Sequence, residues 1–80
     1  MPTVHRQSGH RFYFYSNETG EPPHVHIDHG DKSAKVWLEP VALARNIGYR
    51  PPELTRLLRM VRENREALLE AWHEFFGPGD

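Results

Sequence analysis

The sequence predicts a small α+β domain: an antiparallel sheet of three to four strands, followed by a short and a long C-terminal helix packed on one of its faces. Three observations predict it. Up to Leu38, apolar residues alternate with polar ones in short runs broken by turn formers, which is the signature of half-buried strands. Beyond Leu38 the period changes. Leu54, Leu57, Leu58, Val61, Leu68, Trp72 and Phe75 recur at spacings of three and four or their sums, as on one face of a helix. Strands gathered ahead of helices, rather than alternating with them, argue for helices laid on one side of an antiparallel sheet. The 80 residues make one domain, 1–80, with strands over 1–38 and helices over 39–77.

Taken in order, Thr3 to Gln7 reads as a short first strand, and Ser8-Gly9 as a tight turn. His10 to Ser16 holds the aromatic run Phe12-Tyr13-Phe14-Tyr15, rich in strand formers. Alternation places Phe12 and Phe14 on one face and Arg11, Tyr13 and Tyr15 on the other. Asn17 to Pro23 is a loop of turn formers, and Pro23 aims the chain into the next strand by holding Pro22 extended. His24 to Asp28 then alternates, with Val25 and Ile27 inward and His24, His26 and Asp28 outward. His29-Gly30-Asp31-Lys32 reads as a hairpin connection, and Ser33 to Leu38 returns with Lys35 and Trp37 outward. Pro40 suits the first position of a helix of about two turns over 41–46, with Gly48 as its stop. Pro51-Pro52-Glu53 opens the long helix, and Gly77-Pro78 ends it.

Composition narrows the function classes. There is no cysteine, which excludes disulfides and thiolate metal sites. No stretch approaches the roughly 20 apolar residues that span a bilayer. The first residues lack the basic start and apolar run of a secretion signal, so a soluble, cytoplasmic chain with no membrane partner is expected. The net charge of −1 gives no overall basic field for nucleic acid. The six histidines, however, carry the charge upward just below neutrality.

Helices cover one face of such a sheet. The face left over gathers Arg11, Tyr13, Tyr15, His24, His26, Lys35 and Trp37. This mixture supports three readings. The first is an RNA-acting surface. His24 and His26 would serve as base toward a 2′-hydroxyl and acid toward the leaving oxygen, Arg11 and Lys35 would hold the phosphate, and Tyr13, Tyr15 and Trp37 would stack bases. The second is a metal site on His24 and His26, with Asp28, His29, His5 or His10 completing it; imidazoles suit zinc or nickel. The third is a partner interface, because tyrosine, tryptophan and arginine are the residues enriched where proteins meet. The arginines at 56, 59 and 62 read as a solvated helix face and His73 as a surface residue.

The segments Met1-Pro2-Thr3-Val4, Phe12-Tyr13-Phe14-Tyr15-Ser16-Asn17, Glu21-Pro22-Pro23-His24-Val25-His26 and Asn64-Arg65-Glu66-Ala67-Leu68-Leu69-Glu70-Ala71-Trp72 together resemble the bacterial domain-of-unknown-function family numbered 4160. The most specific element is Pro22-Pro23-His24-x-His26. Many members carry phenylalanine where Val25 stands, and histidine where Glu21 stands. The resemblance implies a small protein encoded beside another short protein, in a layout similar to toxin–antitoxin pairs. It brings no settled activity or cofactor, and its signature falls on His24 and His26.

The expectation from sequence is therefore a toxin-like component acting on RNA without a metal, with His24 and His26 as the acid–base pair on an exposed face. The alternative is a non-enzymatic interaction module that binds a small cognate protein or a second copy. Third comes a metal-binding regulator using His24, His26 and Asp28. No cofactor is expected under the first two readings.

Overall fold

Turn chemistry and strand propensity in the first half of the chain produce five strands: β1 (Thr3–Gln7), β2 (His10–Tyr13), β3 (His24–His29), β4 (Lys32–Leu38) and β5 (Val41–Ile47). Two helices follow, α1 (Pro51–Glu63) and α2 (Arg65–Phe76). The structure is a computed structural model and describes residues 3–15 and 20–77. Ser16 and Asn17 in the loop before β3, and Pro78 after α2, lie outside the described residues.

The strands run antiparallel in sequence order, with two-residue connections between β1 and β2, β3 and β4, and β4 and β5. Ser8 and Gly9, between β1 and β2, both take left-handed backbone, φ 53° and 81°. Two positive φ values in succession give the two-residue turn whose twist matches that of the flanking strands. Gly30 supplies φ 64° at the first position of the β3–β4 turn. The core is the one the alternation predicts: Phe12, Phe14, Val25, Ile27, Val36 and Leu38 are fully buried. They meet Leu57, Met60 and Val61 of α1 and Leu68 and Trp72 of α2.

Two expectations are corrected. Residues 41–46 do not form a short helix; they belong to β5, which pairs along β4 from Leu38↔Val41 to Ser33↔Ile47. Two isolated helical turns are unstable by themselves, whereas a strand here takes its backbone hydrogen bonds from the open edge of β4. The sheet therefore has five strands rather than three or four.

The long helix is in fact two, broken at Asn64. The Asn64 side chain donates to the Met60 carbonyl at 2.8 Å, which the Asn64 backbone N–H also reaches at 3.1 Å, and to Gln7 Oε1 on β1 at 3.0 Å, tying the break to the sheet. The break lets α2 turn so that Trp72 packs edge-on against Phe14, ring centroids 5.3 Å apart. Proline does open α1, and the Glu53 carboxylate accepts the Arg50 backbone N–H at 2.8 Å.

Candidate functional site

Strand register assembles the expected face. His24 lies opposite Trp37, His26 lies between Lys35 on β4 and Tyr13 on β2, and Arg11 lies opposite Asp28. Alternation then puts these side chains on the side away from Val25 and Ile27. The convergence read from sequence is therefore real.

The exposure is not. His24 is 0% exposed, His26 4% and Tyr13 3%, so the two imidazoles do not present an open surface. The aromatic density itself closes the site. Tyr13 stacks on the His26 ring at 5.4 Å and 23°, and Tyr15 meets the same ring edge-on at 4.5 Å. His24 sits against His26, Trp37 and, from α2, Trp72, with centroids 5.1, 5.6 and 4.9 Å away. A small sheet carrying so many rings on one face folds them over one another, because an aromatic side chain gains by leaving water.

The polar atoms of this cluster are committed to the fold. His24 Nδ1–H donates to the Pro22 carbonyl at 2.9 Å. A carbonyl only accepts, so the proton is on Nδ1. Glu21 lies 4.0 Å from the same nitrogen and bonds Lys35, whose ammonium stands 4.8 Å from the Trp37 ring centre. The Tyr13 hydroxyl donates to the Asp28 carboxylate at 3.0 Å. Burial, then the neighbouring Tyr15 and Asp28, push the Tyr13 hydroxyl well above the ordinary range. Arg11 lies over the Tyr13 ring at 4.5 Å. The ligand set His24, His26 and Asp28 does not form, and among the described residues no three His, Asp or Glu side chains gather around a common point.

A second polar cluster lies at the other end of the sheet, under α1; it holds His10 and His29, which the sequence offers only as further ligands for a site on His24 and His26. His10 and His29 meet with ring centroids 4.8 Å apart. His10 Nδ1 is 3.2 Å from the hydroxyl of buried Tyr49, which donates onward to the Ile27 carbonyl at 3.4 Å. Lys32 pairs with Glu53 at 2.6 Å. Ser8, His10, His29, Glu53, Arg56 and Met60 line a pocket of about 240 Å³. The hydrogen bond from Lys32, followed by that from the Arg50 N–H, holds the Glu53 carboxyl at about 2. Burial, then the adjacent His29, lowers the His10 pKa. Burial raises the Tyr49 hydroxyl to about 12. One signal for this cluster was in the sequence: His10 has the parity of Phe12, and His29 that of Ile27, so alternation puts both on the helix side.

The third feature is β5. It forms one edge of the sheet, and its residues from Ala42 to Ile47 are exposed. Leu43 is 38% exposed and Ile47 55%. Arg45 is the strand's one charged residue, and a bulge leaves Ala44 with no opposite residue on β4.

A five-stranded antiparallel sheet backed by two C-terminal helices defines the class, an α+β domain with its aromatic and histidine side chains packed at both ends of the sheet. Residues 9–73 match the family model described as Domain of unknown function (DUF4160), and the chain belongs to that family. No curated protein and no solved structure matches the chain. No helix among the described residues is long and apolar enough to cross a membrane.

Proposed function

We propose that the chain is a protein-interaction module, one half of a toxin–antitoxin-type pair, which takes an extended strand of a small cognate partner onto β5. The observation that carries this reading is the edge itself: seven residues of strand, apolar at Val41, Leu43 and Ile47 and exposed over most of their length. An edge strand presents a row of backbone donors and acceptors that another strand satisfies. Soluble proteins commonly protect such edges with lysine, proline or short length. Here the strand has no lysine and no internal proline. The other edge, β1, is the polar segment Thr-Val-His-Arg-Gln with an irregular register.

The occupant is a different protein rather than a second copy. Antiparallel pairing of β5 with itself about its midpoint, Ala44, sets each Arg45 opposite the other copy's Leu43 and diagonal to the other copy's Arg45, so a charge faces an apolar residue and like charges lie side by side. A partner strand with an acidic residue opposite Arg45 and apolar residues opposite Leu43 and Ile47 fits instead. Direct cleavage of RNA by His24 and His26 loses its support with the burial of both rings.

Size-exclusion chromatography with light scattering, on the purified chain alone and mixed with a synthetic strand peptide carrying an acidic residue opposite Arg45 and apolar residues opposite Leu43 and Ile47, tests the proposal. The chain alone should run as a monomer and the mixture as a one-to-one complex. The double variant Leu43→Lys, Ile47→Lys should lose the complex. It should keep its fold, since exposed substitutions change stability by only about 0.5 kcal/mol each. A complex that survives the double variant, or a homodimer that the variant dissolves, overturns the reading.

A further inference from the structure

The pocket under α1 combines features that the packing of the domain does not require. Arg56 reaches it from α1 and, among the described residues, makes no ion pair or hydrogen bond. His10 and His29 reach it from β2 and β3. Ser8 adds a hydroxyl at the rim, from a left-handed position that asparagine or glycine fills more readily. The one carboxylate in the lining, Glu53, is already engaged by Lys32 and by the Arg50 N–H.

The proton arrangement is fixed from behind. The Ile27 carbonyl only accepts, so the Tyr49 hydroxyl donates to it and accepts from His10 Nδ1–H. Nε2 is then the titrating atom of His10. The charged and titratable groups around this imidazole are His29 on β3, Lys32 on β4, and Glu53 and Arg56 on α1. With Lys32 and Glu53 cancelling, Arg56 leaves the pocket one positive charge when both imidazoles are neutral. Each imidazole that takes a proton adds another. Its volume is several times the roughly 30 Å³ a water occupies in the liquid, enough for a tetrahedral anion and its bridging waters.

We propose that this pocket is a binding site for a phosphate group, held by the Arg56 guanidinium and by His10 and His29, which take up protons as the anion enters. Guanidinium and imidazolium donors match phosphate oxygens with charge-assisted hydrogen bonds. An anion between two imidazoles favours their charged forms. The site is separate from the β5 edge and stands whether or not a partner binds there.

The test is NMR of the imidazole resonances in the full-length ¹⁵N-labelled chain, titrated with inorganic phosphate on either side of the ordinary histidine value of 6.5. His10 and His29 should shift and saturate together with phosphate; sulfate, a tetrahedral dianion on both sides of that value, isolates the imidazole protons and should bind about tenfold tighter on the acid side. Arg56→Gln, at an exposed position, should fold normally and weaken binding about tenfold or more. Two further ligands, a ribonucleoside 3′-phosphate and a hydroxyl-ended oligoribonucleotide, identify the source. Competition by the first alone supports the site as one for small phosphate esters; competition by the second supports the same site on an RNA backbone. Shifts that never saturate, that for sulfate are equal on both sides of 6.5, or that persist in Arg56→Gln overturn the proposal.

Discussion

His24 Nδ1 donates to the carbonyl of Pro22, two residues upstream, at 2.9 Å. This bond explains the order Pro-Pro-His. The two prolines hold the backbone extended and leave the Pro22 carbonyl without a ladder partner, while the next backbone carbonyl, that of Pro23, accepts from Leu38 N–H at 3.0 Å. The imidazole covers what the sheet leaves open and is itself covered by Trp37 and Trp72. His24→Ala should therefore act as a core truncation, lowering stability by about 2–4 kcal/mol in urea unfolding. His24→Asn keeps a short N–H donor and should recover part of the loss. A His24→Ala protein as stable as the parent would show that the ring clamps nothing.

Ser8 stands in left-handed backbone at φ 53°, followed by Gly9 at φ 81°. Asparagine tolerates that region better than serine, and Asn-Gly is the favoured pair for this turn. Ser8→Asn should raise the thermal midpoint, because asparagine is enriched in this region relative to other side chains. Gly9→Ala should do the reverse. It forces a Cβ into left-handed backbone, and that Cβ would also stand 3.4 Å from His29 Nε2. If both variants match the parent, the turn is not the determinant of the β1–β2 register.

The sequence carried the parts of this fold that depend on period. Strand alternation identifies Phe12, Phe14, Val25, Ile27, Val36 and Leu38 as buried, and it also puts Tyr13, His24, His26, Lys35 and Trp37 on one face. Burial of that second face was not legible, because it depends on rings from β2, β4 and α2 folding over His24 and His26, and no local pattern encodes their collapse. β5 was misread because Val41-Ala42-Leu43-Ala44 suits a helix by propensity; the open edge of β4 overrode it. The break at Asn64 turns on a hydrogen bond to Gln7, 57 residues away in sequence.

The pairing of Lys32 with Glu53 joins the β3–β4 hairpin to the first turn of α1, and its acid sensitivity can be worked out. Glu53 is held at about 2 against an ordinary 4.5, first by Lys32 and then by the Arg50 N–H. A carboxyl depressed in the folded state binds protons less than the unfolded chain does. Its contribution is complete above 4.5 and is lost as pH falls toward 2. His10, lowered from 6.5 by burial and by His29, works in the same direction but earlier. Its folded form resists protonation, so stability is full above 6.5 and declines once pH drops below that value. Urea midpoints in phosphate-free buffer should therefore show a first shallow loss below 6.5 and a second below 4.5. His10→Gln should flatten only the first step, and Glu53→Gln only the second. If Glu53→Gln leaves the loss below 4.5 unchanged, the carboxylates elsewhere in the chain govern acid unfolding, and the Lys32 pair adds nothing to it.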